Sequence, residues 1–139
     1  MSGFVLDASV ALRWFLDNPI PIYATRVKQF FLKGVRAVVP ALWHLEMSNG
    51  LVVAQRRSIL TAVDVDQAIT DIEQIVAQAV DTDSIVVSAR RTLTTARAFQ
   101  LSAYDAVYLD LARRERLPLA TLDDQLRNAA AHAGVELLR

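Results

Sequence analysis

Four acidic residues, Asp7, Glu46, Asp105 and Asp123, each lie in or at the edge of an apolar stretch: FVLDAS, ALWHLEMSN, LSAYDAVYL and PLATLDDQL. An ionised carboxylate beside a hydrophobic core costs on the order of several kcal/mol unless something offsets it. Four such acids, spread from one end of the chain to the other, point to a single site with a divalent cation at its centre. Clustered carboxylates and water are hard oxygen ligands, suited to Mg²⁺ or Mn²⁺ and not to Zn²⁺. A bound cation would invert the sign of a negative pocket and admit a phosphodiester oxygen. It would also activate a water for in-line attack.

Each acid has an ordinary explanation as well. Asp7 and Asp123 each precede a helical pattern, and aspartate is among the best N-caps, worth about 1 kcal/mol. Ser102 to Asp105 fits a capping box, although Asp105 also lines up with Leu109 and Ala112 on an inward face. Glu46 is the hardest to explain away. It falls inside a helix, beside Leu45 and Met47, where a glutamate has no capping role. Capping explains three of the four acids but not their shared placement. His44 and His132 form no metal-ligand pair: His44 points about 160° away from Glu46 on a helix, and His132 suits the dipole at a helix end. No G-x-S-x-G, P-loop or G-x-G-x-x-G is present.

The elements that must position these acids follow from periodicity and breakers. Residues 3–6 read as a buried strand ending at Asp7. Residues 9–16 read as a helix that Asp7 or Ser9 can cap, stopped by Asn18 and Pro19. A second helix runs from Pro21 to Lys33 and ends at Gly34. Residues 36–39 form a second strand and residues 42–57 a helix. Residues 63–79 show helical spacing. Residues 85–87 are ambiguous between a short strand and the opening of the next helix, 89–99. Then come a helix that Ser102 precedes and that runs to about Arg116, a strand over 117–122, a helix over 123–133 and a last strand over 135–138. Strands alternating with helices imply a mainly parallel sheet covered on both faces. Ligands then bind at the carboxyl ends of strands where the strand order reverses. Asp7 and Asp123 fall at that edge.

The 139 residues fit one domain, 1–139. Hydrophobic residues make up 53% of the chain, enough for a core, and no cysteine is present. That excludes disulfides and thiolate chemistry and fits a reducing compartment. Basic and acidic residues balance at 15 each, so bulk positive charge does not drive nucleic-acid binding. The arginine excess suits phosphate, but with abundant alanine it follows as readily from GC-rich coding. No apolar run is long enough to span a bilayer, and no leader pattern opens the chain. A cytoplasmic protein without membrane association is expected.

With these residues in hand, the chain resembles the PIN-domain ribonucleases, and among them the VapC-type toxins of VapBC toxin–antitoxin modules. The likeness is carried by FVLDASVALRWFL, VPALWHLEMSNGL, LSAYDAVYLDLA and LPLATLDDQLRNAA, in that order. It implies an α/β fold, a three-layer α/β/α sandwich with a four- or five-stranded, mainly parallel sheet. It also implies Mg²⁺-dependent (or Mn²⁺-dependent) cleavage of RNA. By this resemblance Asp7 and Asp105 are direct metal ligands, and Glu46 and Asp123 complete the acidic site. Ser9, Asn49 and Thr121 match supporting positions. Asp124 occupies a position that is often basic or neutral, so it either joins the site or only caps a helix. The resemblance further implies a homodimer and a VapB-type antitoxin seated in a groove, for which the helices around 22–32 and 63–79 are candidates. A phosphoacceptor signalling domain is the weaker alternative, since lysine occurs only at positions 28 and 33. A catalytically silent protein-binding module of the same fold is another.

Overall fold

A computed structural model describes residues 2–139. In chain order the elements are β1 (Gly3–Leu6), α1 (Ala8–Ala11), α2 (Arg13–Leu16), α3 (Ile22–Leu32), β2 (Arg36–Val39), α4 (Ala41–Arg56) and α5 (Ala62–Ala79). There follow β3 (Val80–Thr82), α6 (Ala89–Phe99), α7 (Ala103–Glu115), β4 (Leu119–Ala120) and α8 (Asp124–His132). The four strands form one sheet in the order β3-β2-β1-β4, and every pairing is parallel. The chain builds outward from β1 through β2 to β3, then returns to lay β4 on the other side of β1. The strand order therefore reverses between β1 and β4, and the crevice at their carboxyl ends is the switch point of the sheet.

Burial explains why the sheet is covered on both faces. Successive strand residues point to opposite faces, yet Phe4, Val5 and Leu6 are all fully buried. Phe4 packs against Phe30 and Phe31, with ring centroids 6.0 and 5.8 Å away, so α3 closes one face. Helix α7 packs on β1 and β4. The result is an α/β fold, a four-stranded all-parallel sheet flanked by helices.

One glycine governs how α4 sits. A Cβ on Gly50 would lie 2.5 Å from Cδ2 of Leu12, between α1 and α2. A mid-helix glycine costs about 1 kcal/mol relative to alanine. Here it admits a close approach, and α4 carries Glu46 one turn earlier.

Three elements differ from the sequence-based expectation. The helix expected over 9–16 begins at Ala8 and divides at Leu12 into two four-residue helices. The strand expected over 135–138 reduces to one parallel bridge between Leu137 and Leu119, with backbone bonds Leu119 N–H to Glu136 and Leu138 N–H to Leu119, both 2.9 Å. Strand β4 is only two residues long, so it offers little ladder to extend. The third strand is Val80–Thr82, and residues 85–87 carry no regular structure. Strand β3 lies at the sheet edge, where polar side chains are tolerated. Its Asp81 takes a two-pronged bond from Arg36 of β2, at 2.9 and 3.0 Å.

Candidate metal centre at the β1/β4 switch

Asp7 follows β1 directly, and its N–H donates to the Ala120 carbonyl at 2.9 Å, extending the β1–β4 ladder by one bond. Its backbone stands at the N-cap of α1, but its carboxylate makes no capping bond. Oδ2 instead accepts the hydroxyls of Ser9 and Thr121, each at 2.7 Å. Each hydroxyl has one proton, and Oδ2 takes both. The 3.3 Å separation of the two hydroxyl oxygens is thus a contact between acceptors. The same hydroxyls accept backbone N–H groups, Ser9 from Leu122 at 3.1 Å and Thr121 from Asp123 at 3.0 Å. The ends of β1 and β4 are thereby stitched together around one oxygen, and neither hydroxyl engages Oδ1. Asp7 is 4% exposed. Burial pushes its carboxyl above the usual aspartate range, the hydroxyls of Ser9 and Thr121 and the Ser9 backbone N–H oppose this, and the charge of Asp123 adds to the rise.

Asp105 lies in the first turn of α7, where the Ser102 hydroxyl accepts its N–H at 3.1 Å. Its half-buried carboxyl is raised to about 6, first by burial and then by the charges of Asp123 and Asp7. Glu46 sits mid-helix on α4, and its Oε1 accepts the Tyr108 hydroxyl at 2.6 Å. Burial raises Glu46 most, the Tyr108 bond opposes it, and Asp7 and Asp105 raise it further. Tyr108 is fully buried. Burial and the two neighbouring carboxylates push its hydroxyl far upward, so it remains a donor. Asp123 does cap its helix: Oδ1 accepts the Leu126 N–H at 2.9 Å. Asp124 is exposed in the first turn of α8.

The four acids therefore act on one another electrostatically, through Asp7–Asp123, Asp7–Glu46, Asp7–Asp105, Glu46–Asp105 and Asp105–Asp123. Among the described residues none of them has a basic partner. The ion pairs are Arg13–Asp17, Arg36–Asp81 and Arg114 with Asp83 and Glu115. Asn49 is exposed, one turn beyond Glu46, and no side-chain hydrogen bond ties it to the acids. His44 turns to Thr82 of β3 at 2.8 Å, and Nδ1 of His132 lies 2.8 Å from the Asn128 carbonyl.

The PIN-domain family model matches residues 4–132. The chain belongs to the PIN-domain family. Proteins of this family are generally nucleases and usually use divalent metal ions. No curated protein sequence matches this PIN domain significantly. Among solved structures it is similar to the crystal structure of PAE2754 from Pyrobaculum aerophilum, at 22% identity and a TM-score of 0.66, over 91% of this chain and 84% of that one. The likeness is one of fold.

The donor chemistry of this PIN domain suits a hard divalent cation: carboxylate oxygens, partly desolvated, mutually repelling and without a countercharge. Their positions are less compact than a finished ligand shell. Among the described residues no three Asp, Glu, His or Cys side chains are gathered tightly enough to grip an ion as they stand. Burial first, and then the neighbouring negative charges, raise the carboxyls of Asp7, Glu46 and Asp105, and a cation would offset that cost. Tyr108, Arg127 and Gly50 belong to the surroundings of the site without having been singled out from sequence. Tyr108 had a readable signal, since it lies at i+3 from Asp105 on the same helix face. Arg127 and Gly50 act through a remote carbonyl and a remote leucine, and no local pattern marks them.

Proposed function

We propose that this PIN domain is a Mg²⁺- or Mn²⁺-dependent endoribonuclease, acting in the cytoplasm as the toxin of a VapBC-type module. The reading rests on one observation above the others. Asp7 and Asp123 stand at the ends of β1 and β4, Glu46 and Asp105 couple to them electrostatically, and none of the four has a basic partner among the described residues. That arrangement stabilises little by itself and becomes useful when a cation enters. Bound there, a divalent ion supplies Lewis acidity toward a phosphodiester and a water.

The roles of the chain's own residues follow from their contacts. Asp7 offers Oδ1, because Ser9 and Thr121 hold Oδ2. Asp105 offers a half-buried carboxyl raised to about 6 by burial and by the charges of Asp123 and Asp7, a cost that a bound cation would offset. Glu46 is held by Tyr108 at Oε1 and leaves Oε2 for the substrate side. Asp123 spends Oδ1 on its helix and leaves Oδ2. Purified protein with Mn²⁺ should cleave RNA, and Asp7→Asn or Asp105→Asn should abolish cleavage while both variants stay folded. Undiminished cleavage in the variants would refute the assignment.

The partner expectations attach to exposed apolar faces. For the antitoxin, Ile22 and Leu32 on α3 and Val63 on α5 remain exposed at 78%, 88% and 75%. For the homodimer, a depression of about 680 Å³ lined by Leu42, Val87, Leu93, Leu101, Tyr104 and Val107 offers a second apolar face.

A second reading, a catalytically silent binding module, is favoured by the open spacing of the acids. Calorimetric titration with Mn²⁺ separates the two. Heat of binding abolished by Asp7→Asn supports the nuclease, and its absence in the wild type supports the silent module.

A further inference from the structure

Thr121 is the residue through which β4 reaches Asp7, yet it lies beyond the end of β4 and before α8. Its hydroxyl is committed to Asp7 and to the Asp123 N–H. Its carbonyl has a partner of another kind: Arg127 of α8 donates Nε to it at 2.8 Å. The guanidinium carbon of Arg127 stands 4.7 Å from the centre of the Tyr23 ring. Tyr23, on α3, donates its hydroxyl to the Leu138 carbonyl at 2.7 Å. The Leu138 N–H bonds back to Leu119 of β4 at 2.9 Å. Arg127 makes no ion pair among the described residues. It is half-buried, so a fixed cation is held on a neutral carbonyl and an aromatic face. That is a poor use of the charge unless the carbonyl must stay still.

We propose that Arg127, shelved on Tyr23, is a positioning residue for the metal ligand Asp7: it fixes the Thr121 peptide so that the Thr121 hydroxyl stays on Asp7 Oδ2 and leaves Oδ1 free for the ion. The proposal rests on the nuclease reading above. Arg127 touches neither Asp7 nor a reacting atom and acts only through Thr121. A lysine keeps the charge but not the geometry, because one planar fork both donates Nε to the carbonyl and lies against the ring. Groups that orient ligands in this way commonly change metal affinity or activity by about 10–100-fold when removed.

The test compares Mn²⁺ affinity by calorimetry, RNA cleavage and thermal melting for wild type, Arg127→Met, Arg127→Lys and Tyr23→Leu. Positioning predicts that Arg127→Met weakens Mn²⁺ binding at least about tenfold, lowers kcat and leaves KM for RNA unchanged. Arg127→Lys should not rescue it, and Tyr23→Leu should shift Mn²⁺ affinity the same way by a smaller factor. If Arg127→Met does not fold, Arg127→Lys and Tyr23→Leu carry the same measurement. A lowered melting temperature with unchanged Mn²⁺ affinity would make Arg127 a staple only and overturn the proposal. Wild-type protein that binds no Mn²⁺ would overturn the nuclease reading itself, which is a separate outcome.

Discussion

Replacing Asp105 by asparagine should stabilise the metal-free protein while destroying its activity. The Asp105 carboxyl is displaced from the ordinary 3.8 to about 6, by burial first and then by the charges of Asp123 and Asp7. At about 1.36 kcal/mol per pH unit, that displacement corresponds to about 3 kcal/mol against the charged form. The carboxyl is half-exposed and screened, so about half of it, ~1.5 kcal/mol, is a fair expectation. For a chain of this length that is about 5 °C in melting temperature. The sign follows from proton linkage. Between about pH 4 and 6 the folded state holds a proton on Asp105 that the unfolded chain has released, so wild-type stability falls as pH rises through this window. Above it the full penalty remains. The variant carries no such group and escapes the loss. Thermal melts in chelator should show Asp105→Asn more stable by about 5 °C at about pH 7.5, with the gap closing by about pH 4.5. Excess Mn²⁺ should then reverse the order, since binding at about 100 Kd adds about 2.7 kcal/mol to the wild type alone. A variant less stable than wild type at neutral pH, or a gap insensitive to pH, would refute the reasoning.

Other perturbations test separate parts of the site. Tyr108→Phe removes the hydroxyl from Glu46 and should reduce metal affinity or kcat by about 10–100-fold with little change in fold, read by calorimetry and steady-state cleavage. Thr121→Val keeps the shape but deletes, at a fully buried position, the hydroxyl that donates to Asp7 and accepts the Asp123 N–H. It should cost about 1–3 kcal/mol in chemical denaturation and weaken Mn²⁺ binding. Asp124→Asn, at an exposed first-turn position, should leave cleavage within about twofold of wild type and cost a few tenths of a kcal/mol from the helix dipole.

The layout of the sheet was readable because its signals are local. Residues 3–6 are a continuous apolar run, Pro21 and Gly34 bracket α3, and Pro40 stops β2. Those signals place Asp7 and Asp123 at the carboxyl ends of strands on one edge of the sheet, and the strand order then puts the ends of β1 and β4 at a reversal. Strand β3 was not readable, because Val80-Asp81-Thr82 has no apolar alternation and owes its place to Arg36 of β2. The tail at 135–138 shows the converse: apolar residues read as a strand, but β4 is too short to pair with more than one of them.

At the site, local rules explain Asp123, which caps its helix as an aspartate in that position should. They fail at Asp7. A good capping residue in a capping position leaves its helix uncapped because two hydroxyls claim its carboxylate, one of them from Thr121 far along the chain. No reading of neighbours in sequence reveals that competition. Glu46, which had no local role, proved to have a partner in buried Tyr108.

The central claim is that remote carboxylates converge on one divalent-cation site at the ends of β1 and β4. Anomalous diffraction from crystals grown with Mn²⁺ tests it directly. The account predicts a peak within about 2.5 Å of oxygens from Asp7 and Asp105, with Glu46 and Asp123 drawn in directly or through water. Fully occupied crystals in which manganese avoids this crevice, with Asp7 and Asp105 still apart, would contradict it.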